Sequence, residues 1–341
     1  MSAPGETPGE NGGTGVKAAV IDIHAHFLDR EVAGRTEAMS VLYGCGTRPP
    51  PDRSPGTPRH RLMERMFDPA IQAAEMEERG IDRALISAST VNQYTGWAAP
   101  AEEAEMVRRV NDRAAEWVAR FPGRFTGSFV LPLQDVALSL AELRRAAGEL
   151  GLRWANLPAQ VGGRYLGDTS LRPVWEALHG LGISVLIHPD GVREPWFQEY
   201  SLWNSLGQPI EEAKVMSSLI YEGVLDAFPG MTLVMSHGGG FLPHYCGRLD
   251  RNVTNMPASA RNIARKPSDY LRDFHYDTCV YDPAVLTALA RVVGADRLLL
   301  GSDYPVGEAD PLGFLRRAEG FSEAEVTAIA GGNAAALLGP P

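Results

Sequence analysis

Short, continuous apolar runs alternate with longer amphipathic segments along most of the chain. The runs at 18–23, 83–87, 125–133, 152–157, 183–187, 231–236, 274–280 and 298–301 are mostly β-branched or aliphatic. Uninterrupted runs of this kind suit strands of a parallel sheet buried on both faces. Between them, residues 70–79, 102–120, 137–150, 171–181, 210–228, 283–293 and 322–338 carry helical spacing. The last of these opens with Ser322 followed three residues later by Glu325, the pattern of a capping box. Eight strands alternating with helices predict an α/β fold, a closed (β/α)₈ TIM barrel. A doubly wound open sheet is the alternative, but no glycine-rich phosphate fingerprint follows the first strand.

Two connections are longer than an ordinary barrel loop, after strands 1 and 5. Residues 27–67 contain the Pro/Gly/Arg-rich stretch 44–51, and residues 189–209 carry Trp196, Phe197, Tyr200 and Trp203. Loops of this length tend to be lids or binding loops, and in a barrel the loops after strands lie on the catalytic face. The expected organisation is a disordered tail over residues 1–15, rich in Gly, Pro, Glu and Thr, and then one barrel domain over 16–341. A lid is inserted in that domain at about 28–67.

Composition narrows the function classes. The 341 residues include 44% apolar ones and carry a formal net charge of −10. That charge argues against a nucleic-acid-binding surface and against general attraction to anionic membranes. An anionic substrate must be caught by local arginines, against the overall field. Cys45, Cys246 and Cys279 are too few and too scattered for a disulfide framework or a zinc knuckle, so reduced thiols in a cytoplasmic protein are expected. No signal peptide and no membrane span is legible.

The chemistry gathers at strand ends. In Asp22-Ile23-His24-Ala25-His26, strand alternation points His24 and His26 to the same side. Two imidazoles at this spacing form half a metal site, although a pair of satisfied polar histidines fits the same pattern. His188 ends the fifth apolar run, His237 the sixth and Asp303 the eighth. Strand ends of a barrel converge on one cavity, and a buried Asp303 needs a cation or hydrogen-bond donors beside it.

With these motifs the sequence resembles the amidohydrolase superfamily, and within it the amidohydrolase-2 branch of aminocarboxymuconate semialdehyde decarboxylase-like enzymes. The resemblance runs from Val20 to about Leu338. It is carried by DIHAHF (22–27), FDPAIQAAEMEERGID (67–82), Asn111-Asp112, IHP (187–189), SHGGG (236–240), GRLD (247–250) and GSDYP (301–305). It implies one divalent metal held by His24, His26, His188 and Asp303. Zinc is the expected ion, and manganese, iron(II) or cobalt(II) suit the same donors. It further implies His237 as general acid/base, with Asp303 sharing in proton transfer. Binuclear relatives use a carbamylated lysine at the end of the fourth strand. Residues 152–158 contain none, and the chain has only Lys17, Lys214 and Lys266.

The resemblance also implies a homodimer in which Arg248 of one subunit grips the substrate carboxylate of the other. Guanidinium suits bidentate carboxylate binding, and an ordinary helix salt bridge is the plainer role for that residue. Counted back without gaps from Asp68-Pro69-Ala70, the family's second carboxylate-binding arginine falls on His60. Either neighbour, Arg59 or Arg61, takes that role, or the ligand differs. Tyr94, Trp97, Trp196 and Trp203 are candidates for an aromatic pocket and equally for packing under the loops. His179, His244 and His275 are expected to be structural.

A small unsaturated or aromatic carboxylic acid is the expected substrate and decarboxylation the expected reaction. Hydrolysis of an amide, ester or lactone is second, and hydration third, because one set of ligands serves all three. A catalytically dead barrel acting as a binding subunit would lack a ligand, and none is missing.

Overall fold

A computed structural model describes residues 18–39 and 54–340. The expected tail, Lys17, Cys45 and the Pro/Gly/Arg-rich stretch of the first long connection lie outside the described residues. Among the described residues, eight parallel strands follow one another around a ring in sequence order. They are β1 (Ile21–Phe27), β2 (Arg83–Ala88), β3 (Phe125–Phe129), β4 (Trp154–Pro158), β5 (Ser184–His188), β6 (Leu233–Met235), β7 (Phe274–Asp277) and β8 (Leu298–Leu299). Beyond β8 the chain returns to β1. Ile23 N donates to Leu300 O at 2.8 Å and His26 N to Tyr304 O at 2.9 Å. The sheet therefore closes as the (β/α)₈ barrel that the alternation of segments implies.

Each strand lies within a predicted apolar run except at its ends. β1 starts later than expected and runs four residues further, so His24 and His26 lie inside it rather than beyond it. The register of β1 on β2 shows why this matters. Asp22 pairs with Ala84 and Ala25 with Ile86, so three steps on β1 match two on β2. The extra residue is a bulge, which reverses the alternation of side chains. Ile21 and Ile23 thereby pack inside the barrel with Leu85, Trp154, Leu186, Val234 and Leu299. Past the bulge, Ala25 and Phe27 join the outer core against the helices, leaving His24 and His26 on the interior face.

Helices α1 (Arg30–Ala38) and α2 (Pro58–Phe67) occupy the described parts of the long connection after β1, where the sequence suggests only a loop. The sheath follows with α3 (Pro69–Glu78), α4 (Pro100–Arg120), α5 (Val136–Gly148), α6 (Arg172–Gly180), α7 (Gly207–Tyr221), α8 (Gly247–Asn255), α9 (Pro283–Val293) and α10 (Asn333–Leu338). On α4, Met106, Val107, Val110, Ala114 and Trp117 form the buried stripe expected of a helix laid on a sheet. The helix expected over 210–228 divides at Gly223, whose φ of 70° is left-handed. The helix expected over 322–338 keeps its Ser322–Glu325 capping box but passes through a π-turn, Ala328–Gly332, before α10. Ala334 of α10 closes the bottom of the barrel core, with Leu337 and Leu338 packed against it.

That π-turn brings backbone against backbone. A Cβ on Gly331 would stand 1.7 Å from Ala19 O, whereas one on the adjacent Gly332 would meet nothing nearer than 3.8 Å. Gly331→Ala should destabilise the fold by about 1–3 kcal/mol, the usual effect of overpacking. Gly332→Ala should be neutral or stabilising by up to about 1 kcal/mol, because only helix propensity changes. Thermal melts of the two variants beside the parent check this; equal midpoints would contradict it.

Candidate metal centre and active site

Five ionisable side chains meet at the C-terminal mouth of the barrel. His24 and His26 come from β1 and His188 from the end of β5. His237 follows β6 and Asp303 follows β8. The imidazole centroids of His24, His26 and His188 lie 4.9–5.1 Å apart, and His237 is 5.3 Å from both His24 and His188. Ligand atoms of His24, His188, His237 and Asp303 all lie within 4.8 Å of one another. His26 completes the group, its Nε2 being 3.2 Å from His24 Nε2 and 3.0 Å from Asp303 Oδ1.

Outer partners fix which ring nitrogen faces the centre. His24 Nδ1 donates to Asp277 Oδ2 at 2.6 Å, which leaves the Nε2 lone pair pointing inward. Ser87 Oγ donates to Ala25 O at 3.2 Å and accepts from His26 Nδ1 at 3.1 Å, with the same result for His26. Two imidazole lone pairs and Asp303 Oδ1, 3.4 Å from His24 Nε2, thus face one another with no proton assigned among them. Three acceptors at such distances repel unless a cation stands between them. His188 adds a buried imidazole whose Nδ1 has no hydrogen-bond partner. The residues present therefore fit a divalent ion.

The electrostatics agree for His188, His26 and Asp303, whereas for His24 burial is outweighed by Asp303 and Asp277, which raise its pKa. Burial, reinforced by neighbouring imidazoles, holds His188 well below the ordinary histidine range, so its imidazole is neutral. Burial also lowers His26. For Asp303, burial favours the neutral acid, but His24, His237 and His26 outweigh it and hold the carboxyl well below its usual range. His237 behaves differently. Burial opposes its charge, yet Glu212 and Asp303 push its pKa well above the ordinary value. Glu212 Oε1 lies 2.5 Å from His237 Nδ1, and burial drives the Glu212 carboxyl up to about 7. His237 Nε2 faces Asp303 Oδ2 at 3.6 Å, while the Tyr281 hydroxyl donates to the same oxygen at 2.8 Å.

Three of these residues sit on left-handed backbone: His237 (φ 46°), Tyr281 (φ 57°) and Asp303 (φ 54°). Each immediately follows or lies just beyond a strand, and non-glycine residues in this region cost of order 1–3 kcal/mol. Such a cost is tolerated where the turn must aim a side chain.

The centre forms the floor of a cavity of about 960 Å³. Arg59, Trp203 and His244 are on its wall, with Leu28, Met63, Met66, Phe241 and Val280 supplying apolar surface. Arg59 also reaches Glu37 at 4.0 Å. His244, expected to be structural, faces the cavity instead, because the turn after β6 carries it to the rim. The other substrate candidates lie elsewhere. His60 faces a separate groove beside Glu64. Arg61 is exposed and donates to Gly56 O, and Trp97 Nε1 donates to Thr36 at 3.3 Å. Arg248 is exposed on α8 and does not line the cavity of its own chain. Tyr94 is buried behind β5, its hydroxyl donating to His188 O, and Trp196 is 58% exposed. His179 is exposed, and His275 is partly buried beside Arg297. Lys214 pairs with Glu211 and Lys266 with Asp269, both away from the centre.

Sequence reasoning missed Asp22, Ser87, Glu212, Asp277 and Tyr281. Asp22 and Asp277 left one signal, a carboxylate inside an apolar strand run. Glu212 left none, since Glu211-Glu212 on an amphipathic helix reads as a solvated face.

Comparison with known proteins adds an independent line. The chain is 30% identical over 332 residues to 2-amino-3-carboxymuconate-6-semialdehyde decarboxylase of Dictyostelium discoideum, covering 94% of this chain and 91% of that one. It is 29% identical to a gamma-resorcylate decarboxylase of Polaromonas, over 77% of this chain and 85% of the relative. Among solved structures, 5-carboxyvanillate decarboxylase from Sphingomonas paucimobilis superposes with a TM-score of 0.83 at 27% identity, covering 95% of this chain and all of that one. A dihydroxybenzoic acid decarboxylase from Polaromonas with bound manganese shares the fold at 24% identity and a TM-score of 0.77. The amidohydrolase family model matches residues 21–339, and this chain belongs to that family.

Proposed function

We propose that this protein is a metal-dependent decarboxylase of a small aromatic or unsaturated carboxylic acid. The observation that carries the reading is the set of inward lone pairs on His24 and His26 opposite Asp303 Oδ1, beside a proton-holding His237–Glu212 pair. Relatives that act as decarboxylases, matched over most of their length, support it. His24, His26, His188 and Asp303 would hold one divalent ion. Zinc suits three imidazoles and a carboxylate, and manganese is bound in a protein of the same fold. When bound, the ion supplies Lewis acidity toward substrate oxygen atoms.

The chain's own residues supply the rest. His237, held at Nδ1 by Glu212, keeps a proton on Nε2 near Asp303 Oδ2. Through that oxygen the proton reaches the substrate carbon that bears the carboxylate. The bond to the carboxylate carbon then breaks, its electron pair returns to the unsaturated system, and carbon dioxide leaves. Arg59 on the wall is placed to attract an anionic group, and Trp203 with the apolar lining suits a ring. A hydratase reading has support of its own, from a 27% identical 2-keto-4-carboxy-3-hexenedioate hydratase of Sphingobium covering 83% of this chain. Among the described residues no helix is long and apolar enough to cross a membrane, and a cytoplasmic site of action is part of the proposal.

Elemental analysis of the purified chain should find one divalent ion per subunit. The loaded protein should release carbon dioxide from at least one of 2,6-dihydroxybenzoate, 5-carboxyvanillate, 6-methylsalicylate or aminocarboxymuconate semialdehyde. Loaded protein that hydrates an unsaturated keto acid but releases no carbon dioxide would favour the second reading.

Asp277→Asn weakens the acceptor that orients His24. It should reduce metal affinity about 10- to 100-fold, as loss of such partners commonly does; chelator competition measures it, and unchanged affinity would remove Asp277 from the site.

Arg248, exposed and away from its own cavity, is proposed to complete the site of a second subunit. Mixing Arg248→Ala chains with His24→Ala chains should restore part of the activity that neither has alone. Hybrid dimers that form without activity would mean that Arg248 acts within its own chain or not at all.

A further inference from the structure

The Tyr281 side chain combines contact with the site and exposure to solvent in one residue. Its ring stands on the cavity wall and the residue is 54% exposed, yet its hydroxyl donates to buried Asp303 at 2.8 Å. Two further features of the chain serve that contact. Tyr281 adopts φ 57°, a left-handed conformation in which a bulky residue is strained, with no glycine there to relieve it. Position 307 is glycine, and a Cβ there would come within 2.4 Å of Ser302 O, 2.6 Å of Asp303 Cβ and 2.8 Å of the Tyr281 hydroxyl oxygen. A backbone held against its preference on one side, and a side chain absent on the other, both let the phenol reach the carboxylate.

The contact separates the two oxygens of Asp303. Oδ1 faces His26 Nε2 at 3.0 Å and His24 Nε2 at 3.4 Å. Oδ2 takes the phenolic hydrogen bond and faces His237 Nε2 at 3.6 Å. We propose that Tyr281 is a positioning residue, which ties Asp303 Oδ2 to the proton-transfer side of the site and leaves Oδ1 as the single oxygen offered to the cation. The inference rests on the metal reading given above. Without the phenol, Oδ2 keeps His237 Nε2 as its neighbour among the contacts described above, and it becomes available to the ion beside Oδ1.

The test uses the full chain loaded with cobalt(II), whose visible absorption reports its ligand geometry, together with chelator competition for affinity. Tyr281→Phe removes only the hydroxyl, and Tyr281→Leu removes the ring as well. Both variants should melt within a few degrees of the parent, since the residue is more than half exposed. Both should lose cobalt affinity about 10- to 100-fold, the range for partners that orient a ligand, and both should show the same altered absorption bands. Parent-like affinity and spectrum in Tyr281→Phe overturn the proposal, and so does a change confined to Tyr281→Leu, which assigns the effect to ring packing. A parent protein that takes up no ion overturns the metal reading as well, so the two failures are told apart.

Discussion

Asp22 is buried beneath the metal centre, and its carboxylate accepts from the backbone N–H groups of His24 and Ser302, both at 3.0 Å, and from the Ser302 hydroxyl. These bonds join β1, at its bulge, to the segment that follows β8. One carboxylate therefore fixes the place where side-chain alternation reverses and the seam where the barrel closes. Below it Ile21 and Ile23 fill the core. Above it His24 and His26 face the mouth, and Ser302 carries Asp303 to meet them. Without the extra residue, strict alternation with Ile21 and Ile23 inside would turn His24 and His26 toward the helices. Burial pushes the Asp22 carboxyl up, against the hydrogen bonds from Ser302 and His24 that favour its charge. The interaction is thus costly to desolvate and is retained at the one point where geometry depends on it.

The same division of labour recurs around the ring. Asp277 accepts from Gly238 N and Cys279 N through one oxygen and from His24 through the other. It links the β6 turn, the β7 turn and His24 of β1. Its pKa is held low because His24 and His237 outweigh burial. The left-handed residues at 237, 281 and 303 lie in turns braced this way. A rigid, closed sheet can hold such turns in strained conformations, whereas a free loop would relax to aim its side chain elsewhere.

The legible part of this architecture followed from periodicity. Eight buried runs and their helices were readable, and so were His24, His26, His188, His237 and Asp303, because each is a polar residue placed where apolar ones are expected. What was not readable depended on relations between distant segments. The bulge shows only in register with β2, and Glu212 matters only because α7 brings it under His237. Tyr281 reaches Asp303 through a turn that no local pattern marks. Arg59, His60 and Arg61 show the same limit. The sequence offers three adjacent candidates, and helix α2, at about 100° per residue, turns only one of them into the cavity.

The floor and the rim of the cavity therefore answer different questions. The floor is built from strand ends whose positions the barrel dictates, and its donors suit proton transfer beside a cation whatever the substrate. The rim is built from segments that follow the strands, with Arg59 after β1, Trp203 after β5 and Phe241 and His244 after β6, beside Val280 and Tyr281 after β7. Substituents on a ring would meet those residues and not the histidines of the floor. Enzymes with a common floor and different rims can then decarboxylate different acids, or add water to one, without change in the metal ligands. Within this chain, the departure at His60 and the histidine at 244 both fall outside the centre. That is where a shift of substrate leaves the chemistry intact.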